Sequence, residues 1–311
     1  MKASVITSFG GPEVLQEADV PTPGPGRGQV LARVHAAGVN PAELTARSGG
    51  FGLPAPAIIG FEFAGTVEQV GEGVTGVRVG DRIAGWPDSF VQGAYAEFTL
   101  SGNYALIPDG VTFEQAAATV IGADNAARGL ALLAPERGET LVVTGASGAL
   151  GSAAVQFARL AGLTVIGIAG RDSLPYVESL GATAVEYGDG LVDRVRDAAP
   201  DGVDAALDTA GKGLLPALIE LRGGTRRVVT LADLDAGRYR VQFSGETPAT
   251  AGTSSSGLRW STSRQASGAP ASAARFRSRR QPTRTGSWRP VTPGEGPPRT
   301  LRADGDAVVH G

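Results

Sequence analysis

Apolar and polar residues alternate in two stretches of the first hundred residues, Gln29 to His35 and Glu62 to Val70. A period of two is typical of β-strands with one buried face. Glycines recur between residues 71 and 80 and indicate turns. We therefore expect short strands joined by tight turns, as in a compact and partly open β-barrel.

The pattern changes shortly after residue 107. Thr112 is followed three positions later by Gln115, which is the spacing of a capping box at the start of a helix. We place a domain boundary just beyond it, so that residues 1–118 form one domain and residues 119–245 a second.

Strand-length apolar runs alternate with helical periods from Thr140 onward. The predicted strands are Leu141–Val143, Thr164–Ala169, Val203–Asp208 and Arg226–Leu231, and the predicted helices are Ala149–Ala161, Ser173–Leu180 and Gly213–Leu221. This alternation is typical of right-handed βαβ units, which build a parallel sheet covered by helices on both faces. The fold class is therefore α/β, with a doubly wound parallel sheet in residues 119–245.

Residues 246–311 do not continue this pattern. Their residues of the Ile, Leu, Val, Met and Phe set are Leu258, Phe276, Val291, Leu301, Val308 and Val309. So few apolar side chains cannot offset the entropy lost on ordering the segment. We predict an irregular, disordered, low-complexity tail rich in Arg, Ser, Pro and Thr.

Composition restricts the chemistry and reveals an uneven distribution of charge. The 311 residues include no Cys and only two His, which argues against a disulfide scaffold, a thiolate zinc site and a cysteine nucleophile. The net charge of −3 combines −9 in residues 1–245 with +6 in the tail, which holds ten Arg and four acids. No apolar stretch is long enough to span a bilayer, so we expect a soluble, cytoplasmic protein.

A glycine-rich turn between a predicted strand and a predicted helix is the strongest local signal. The spacing of Gly145, Gly148 and Gly151 provides a tight turn, a close approach of backbone to a pyrophosphate, and close packing of helix on strand. The N-terminus of the helix offers N–H donors and a positive dipole to phosphates. The candidate dinucleotide-binding residues here are Thr144, Gly145, Ser147, Gly148, Ala149, Leu150 and Gly151.

The end of the second predicted strand indicates which dinucleotide binds. An acid at this position holds the ribose 2′-OH of NAD, whereas a cation accommodates the 2′-phosphate of NADP. Here Gly170 leaves room for a phosphate, and Arg171 can pair with it. These residues favour NADP, and the alternative is that Asp172 acts as the acid of an NAD site.

Two later strands end in polar residues, at Asp208-Thr209 and at Thr230-Leu231. The carboxyl ends of strands in a doubly wound sheet border the crevice where ligands bind. We therefore expect these four residues to line the nicotinamide half of the cofactor. The alternative is that they are only turn residues.

Several segments together resemble the zinc-independent quinone oxidoreductase-like branch of the medium-chain dehydrogenase/reductase superfamily. They are Ala37–Pro41, Pro56–Val67, Val70–Val74, Val79–Ile83, Gly93–Glu97 and Gly145–Gly151, in family order over residues 1–245. The resemblance implies a GroES-like catalytic barrel, then a Rossmann NADP-binding domain, with the active site in the cleft between them. It also implies a homodimer that pairs near Tyr239 to Phe243.

The resemblance further implies hydride transfer from NADPH to a quinone or an α,β-unsaturated carbonyl. No zinc ligand set is expected, and a conjugated acceptor spreads negative charge without a metal. Asn40 is the implied catalytic residue, because its amide can orient the acceptor's carbonyl, although Asn before Pro41 is also a common turn initiator. Thr45 and Phe51 replace possible phenols, so water is the expected proton source.

Other residues that follow the family pattern are expected to serve structure. They are Glu62, Asp81, Tyr95 and Glu97, and Lys212 is expected at the surface. Acid/base work would place paired carboxylates near the reactive face of the cofactor rather than in glycine-rich turns.

Three interpretations of the tail remain open: a basic arm for nucleic acid, an inert extension, and a shift of reading frame near Gly245. The absence of Lys weakens the first, so binding of nucleic acid is not the favoured function. With GC-rich codons, residues 276–295 read one base out of register can give PLAAAADAHRLLAAGHARG, which resembles the end of family members. The alternative function is then an NADPH-binding protein with little or no catalysis, because its C-terminal segment is aberrant.

Overall fold

The computed structural model describes residues 1–244. These residues divide between Val120 and Ile121 into two compact units. The predictions for the tail, both disorder and a shifted frame, concern residues 246–311, which lie outside the described residues.

The first unit consists of short antiparallel strands and short helices. They are β1 (Lys2–Ile6), β2 (Leu15–Asp19), β3 (Val30–Ala37), α1 (Pro41–Arg47), β4 (Ala57–Ile58), β5 (Phe63–Val70), β6 (Arg82–Trp86), β7 (Phe98–Ser101), β8 (Asn103–Leu106) and α2 (Phe113–Ala117). Five strands form an antiparallel sheet in the order β7-β3-β5-β6-β8, and a smaller sheet has the order β2-β1-β4. The two alternating stretches of the sequence are β3 and β5, which pair with each other.

Burial along β3 and β5 does not follow the one-sided pattern that their alternation predicts. Strand β3 is buried except at Arg33 and His35, and β5 is buried from Phe63 to Gly65 and exposed from Glu68 to Val70, because Ala36 and Ala64 on the other face pack against α2. Burial alternates along β6 and β7, and Leu31, Phe63 and Ile83 are among the most deeply buried side chains. Irregularities in the β3–β5 register bend the pair. The result is a bent antiparallel sheet whose most deeply buried side chains are apolar.

The predicted capping box at the start of α2 is confirmed. The hydroxyl of Thr112 accepts the backbone N–H of Gln115 at 3.2 Å, and the Gln115 side chain accepts the backbone N–H of Thr112 at 3.0 Å. Each bond satisfies a donor that the first turn of a helix leaves without an intrahelical partner.

The second unit alternates strand and helix. It contains α3 (Val120–Leu133), β9 (Thr140–Thr144), α4 (Ala149–Leu160), β10 (Thr164–Ala169), α5 (Leu174–Ser179), β11 (Thr183–Glu186), α6 (Leu191–Ala198), β12 (Ala205–Asp208), α7 (Leu215–Arg222), β13 (Val228–Thr230), α8 (Ala236–Tyr239) and β14 (Gln242–Phe243). Its strands form a parallel sheet in the order β11-β10-β9-β12-β13-β14. The order reverses beside β9, which is the position where doubly wound sheets bind dinucleotides.

The central strands of this sheet are buried on both faces. Strand β12 is buried at every position, and β9 and β10 are buried at all but their first residues. Side chains such as Val142, Ile166 and Val228 form one core with the helices packed on the sheet. Burial on both faces explains why these strands appear in the sequence as continuous apolar runs rather than as alternation.

Backbone conformation accounts for two shifts from the predicted bounds. The predicted helix from Gly213 begins only at Leu215, because Gly211 and Gly213 adopt left-handed φ angles of +60° and +72°. The predicted strand from Arg226 begins at Val228, because Arg227 also has a left-handed φ, of +64°. A left-handed residue interrupts both regular conformations.

Candidate active site

The glycine-rich turn connects β9 to α4 in a tight loop. Gly145 has a left-handed φ of +61°, which glycine adopts without steric cost. The N–H of Gly148 donates to the carbonyl of Gly145 at 2.9 Å, and the N–H of Ala146 donates to the carbonyl of Ile168 at 3.0 Å. The second bond ties the turn to the end of β10. These two backbone hydrogen bonds hold the turn.

Gly151 lies where α4 packs against this turn. A Cβ at this position would lie 2.6 Å from the carbonyl carbon and even closer to the carbonyl oxygen of Gly145, and 2.8 Å from the Cα of Ala146. Both neighbours are backbone and cannot rotate away. Only glycine allows this approach, which is the packing role that the sequence motif predicts.

The N-terminus of α4 is uncovered. Gly148 is its N-cap in an extended conformation, and it has no side chain that could satisfy the first-turn donors. Gly148 and Ala149 are exposed, and Ser147 and Leu150 are half-buried. A twelve-residue helix that begins this way presents N–H donors and a positive dipole end to an anion.

Arg171 follows Gly170 at the end of β10, in a short 3-10 helix of residues 171–173. Its Nε donates to Oε1 of Glu186 at 3.0 Å, and its side chain is 80% exposed. This hydrogen bond raises the pKa of Arg171 and lowers the pKa of Glu186. Asp172 is also exposed. A fixed but accessible guanidinium therefore stands where the sequence predicts a phosphate partner.

Asp208 is fully buried at the end of β12, between β9 and β13. It accepts the hydroxyl of Thr144 from one neighbouring strand and the hydroxyl of Thr230, at 2.7 Å, from the other. Its Oδ1 also accepts the backbone N–H groups of Ala210 and Gly211 at 3.1 and 3.3 Å. One carboxylate thus joins three strand ends and the loop that follows β12.

The threonines around Asp208 extend this network into the loops. Thr209 donates its hydroxyl to the carbonyl of Thr144 at 2.6 Å. The hydroxyl of Thr230 accepts the backbone N–H groups of Ala232 and Asp233 at 3.2 and 2.9 Å. Leu231 is buried beside them. The predicted residues of this region come together at the carboxyl ends of the neighbouring strands β9, β12 and β13. Asp208 and Thr230 are buried there and accept hydrogen bonds from the loops that follow β12 and β13.

Asn40 is the N-cap of α1 in the first unit, which explains its position before Pro41 better than an isolated turn does. Its Nδ2 donates to Oε1 of Glu62 at 2.8 Å. Its backbone N–H donates to Oε2 of Glu43 at 2.9 Å. Asn40 is therefore fixed by two carboxylates at the start of the helix.

Glu43 and Glu62 are buried acids, each about 2% exposed. Oε1 of Glu43 accepts the backbone N–H of Phe61 at 2.9 Å, and burial raises the pKa of this carboxyl group. Tyr95 donates its hydroxyl to the carbonyl of Gly38 at 3.0 Å. Burial and the two nearby carboxylates raise the pKa of Tyr95 well above its ordinary value, so it remains a neutral phenol. The sequence analysis did not single out Glu43, although Asn40 and Glu43 have the spacing of a capping box, a local signal that could have identified it.

The remaining predicted residues have local roles or lie at the surface. Asp81 accepts the backbone N–H of Arg78 at 2.9 Å, and Glu97 accepts that of Lys2 at 2.7 Å. Lys212 is exposed. Within residues 1–244 no group of three or more His, Cys, Asp or Glu is arranged to hold a metal ion. None of the helices in that range has the length and apolar character needed to cross a membrane.

Family models match both units. The model described as the alcohol dehydrogenase GroES-like domain matches residues 26–126, and the model described as zinc-binding dehydrogenase matches residues 149–236. The first match includes Asn40 and its carboxylate partners. The second includes part of the glycine-rich turn, Arg171 and Asp208.

Curated relatives match between about half and four fifths of this chain. A quinone oxidoreductase of Rattus norvegicus is 40% identical over 240 residues, which cover 74% of this chain and 72% of the relative. A 2-methylene-furan-3-one reductase of Solanum lycopersicum is 31% identical over 79% of this chain and 66% of its own. Quinone oxidoreductases of other mammals align over only 53 to 54% of their length.

Solved structures share the fold. An alcohol dehydrogenase superfamily protein from Novosphingobium aromaticivorans is 30% identical, with a TM-score of 0.72 over 81% of this chain and 80% of its own. Mycobacterial Rv1454c complexed with NADPH is 29% identical, with a TM-score of 0.65 over 80% and 82% of the two chains. The predicted fold class, a partly open GroES-like barrel with a Rossmann sheet, is confirmed.

A GroES-like unit followed by a Rossmann sheet with a glycine-rich turn defines an oxidoreductase that uses a nicotinamide cofactor. The chain belongs to the medium-chain dehydrogenase/reductase superfamily, in its quinone oxidoreductase-like branch.

Proposed function

We propose that this chain is an NADPH-dependent, metal-free reductase that transfers hydride to a quinone or an α,β-unsaturated carbonyl. The observation that carries the proposal is an uncovered glycine-rich turn with an exposed arginine at the end of the next strand. The names of the rat quinone oxidoreductase and the tomato furanone reductase support the acceptor class. The absence of Cys from the sequence supports chemistry without a thiolate zinc site.

The Rossmann unit would hold the cofactor, which supplies the hydride when bound. The N–H groups that begin α4 would bind the pyrophosphate, and Gly148 would allow it to approach the backbone. Arg171 would pair with the 2′-phosphate beside Gly170. Thr209, Thr230 and the loops fixed by Asp208 would border the nicotinamide half.

Asn40 would act on the acceptor. Its amide nitrogen carries two hydrogens: the bond to Glu62 uses one, and the second lies within reach of the Glu43 carboxyl group, with which the acceptor would have to compete. The second would donate to the acceptor's carbonyl oxygen, where negative charge develops as hydride reaches the conjugated carbon. Water would then supply the proton, since burial raises the pKa of Tyr95, which makes its phenol a weaker acid, and the phenol hydrogen is already donated to the carbonyl of Gly38.

A turnover assay with NADPH and NADH, over a panel of quinones and enones, tests the proposal. The variant Arg171→Met should raise the KM for NADPH about 10- to 100-fold, because it loses a charge-assisted hydrogen bond to the 2′-phosphate. It should leave the KM for NADH within about twofold. Arg226→Met is the matched control, because it removes another exposed arginine, just before the amino end of β13. Equal effects of Arg171→Met on both cofactors would contradict the assignment.

A second set of variants tests Asn40. Asn40→Ser keeps a residue that caps helices well but loses the amide donor, so kcat should fall by about 10²-fold with a smaller change in KM. Asn103→Ser makes the same substitution at an exposed position of β8 in the same unit and should leave kcat unchanged. A lower Tm of Asn40→Ser with an unchanged kcat would show that Asn40 stabilises the fold and takes no part in the reaction.

A cofactor-binding protein with little or no catalysis is the second candidate. It is favoured by the composition of residues 246–311, which is rich in Arg, Ser, Pro and Thr and poor in apolar side chains. Tight NADPH binding without turnover of any acceptor would support it. Turnover by a frame-restored chain, but not by this one, would assign the loss to the tail.

A further inference from the structure

An acid on the neighbouring strand, Glu186 of β11, lies beside the end of β10 and contacts Arg171. Ala169, the last residue of β10, pairs directly with Glu186, the last residue of β11. The Glu186 carboxylate reaches Nε of Arg171 at 3.0 Å. An anion therefore stands beside the cation that would receive a 2′-phosphate, on the neighbouring strand rather than at the position where sequence motifs place the acid of an NAD site.

The backbone fixes the position of Glu186. Arg194 donates from Nε and Nη2 to the Glu186 carbonyl at 3.1 and 2.8 Å. The N–H of the following residue, Tyr187, donates to the carbonyl of Ala169 at 3.2 Å. The carboxylate thus extends from a strand end that is bonded on both sides. The side chain of Glu186 is 35% exposed, so solvent reaches the carboxylate.

The Glu186 carboxylate and a 2′-phosphate would compete for the same cation, Arg171. A guanidinium offers its donors in a planar fork, and the bond to Glu186 occupies the Nε edge. A 2′-phosphate that binds Arg171 must share or displace this carboxylate, and two anions that share one cation repel. A cofactor with a free 2′-OH meets no such repulsion, and a carboxylate can accept a hydrogen bond from that hydroxyl.

We propose that Glu186 is a specificity-determining residue, which competes with the 2′-phosphate for Arg171 and so weakens the preference for NADPH over NADH. The inference rests on the proposed function, in which Arg171 receives that phosphate. It goes further, because it attributes the relative affinity for NADPH and NADH to both Arg171 and Glu186 rather than to Arg171 alone.

Isothermal titration with 2′,5′-ADP and 5′-AMP tests the competition without requiring turnover. Glu186→Gln should lower the Kd for 2′,5′-ADP about fivefold at low salt and change the Kd for 5′-AMP by less than twofold. The gain should shrink in 0.5 M salt, because both groups are solvent-exposed. In an Arg171→Met background the gain should be smaller, because no guanidinium remains to compete for.

Glu220→Gln is the matched control. Glu220 forms an exposed ion pair with Arg196 at 2.8 Å, so its substitution removes the same charge and a similar contact elsewhere in the unit. It should leave both Kd values unchanged. An equal gain for both ligands in Glu186→Gln, or the same gain in Glu220→Gln, would overturn the proposal as an effect of net charge.

Two outcomes separate this inference from the proposed function. Weaker binding of 2′,5′-ADP by Glu186→Gln would overturn the inference alone, because Glu186 would then orient Arg171 rather than compete for it. A wild-type preference for NADH in turnover, with the fivefold gain still present, would overturn NADPH dependence and leave the inference intact. No binding of 2′,5′-ADP by either protein would overturn both.

Discussion

Gly151→Ala isolates the close packing of α4 on the glycine-rich turn. The added Cβ would meet the carbonyl carbon of Gly145 at 2.6 Å, whereas ordinary contacts begin at 3.4 Å. Because the opposing atoms are backbone, the helix itself must retreat by most of that difference. Alanine has no conformational difficulty at a helical position, so the destabilising part of the substitution comes from steric contact.

Overpacking of this kind costs about 1–3 kcal/mol. A helical glycine replaced by alanine recovers up to about 1 kcal/mol of helix propensity, so the lower part of that range can be cancelled. We expect a net loss of about 1–2 kcal/mol, which corresponds to a fall in Tm of about 2–8 °C for a chain of this size. NADPH should also bind more weakly, because the N–H groups that begin α4 move with the helix.

Differential scanning fluorimetry and NADPH fluorescence titration measure the two effects. Gly237→Ala is the control, since Gly237 lies in helix α8 of the same unit and an added Cβ there meets no atom within 4 Å. It should keep or raise the Tm and leave the Kd for NADPH unchanged. A Gly151→Ala variant as stable as Gly237→Ala, with wild-type cofactor affinity, would refute the packing argument.

Two further predictions concern buried and paired acids. Asp208→Asn should destabilise the chain by about 2–4 kcal/mol and weaken NADPH binding, because an amide cannot accept hydrogen bonds from all the donors around Asp208. Asp201→Asn, at an exposed site, is the control and should have neither effect. The bond from Arg227 holds the pKa of Glu139 at about 2, below its ordinary 4.5, so stability present above pH 4.5 should decline as the pH falls toward 2. Urea denaturation from pH 6 to pH 3 measures this decline, which should be shallower in Glu139→Gln; parallel profiles would assign the acid sensitivity to other carboxylates.

Local patterns in the sequence predicted much of the fold. Continuous apolar runs predicted β9, β10 and β12, because strands buried on both faces need them, and Thr112 with Gln115 predicted the start of α2. Strand β11 and helix α6 were missed. Strand β11 has four residues, and α6 has only Leu191 and Val195 as buried side chains among charged neighbours.

The side-chain contacts of the candidate site could not be predicted from sequence patterns, because they join residues far apart in the chain. Asn40 and Glu62 are 22 residues apart, and Thr144 and Asp208 are 64 apart. Side-chain partners at such separations depend on strand order and register, which no local period encodes. Arg171 was predicted as a phosphate ligand, but its bond to Glu186 depends on the pairing of β10 with β11.

The exposed position of the Arg171–Glu186 pair has an evolutionary consequence. Neither side chain belongs to the core, and surface substitutions usually change stability by less than about 0.5 kcal/mol. On the proposed role of this pair, cofactor preference can drift among descendants of this chain without passing through unstable intermediates. A host whose supply of reduced nicotinamides changed could adapt this enzyme through one or two codons, and an engineer could follow the same route.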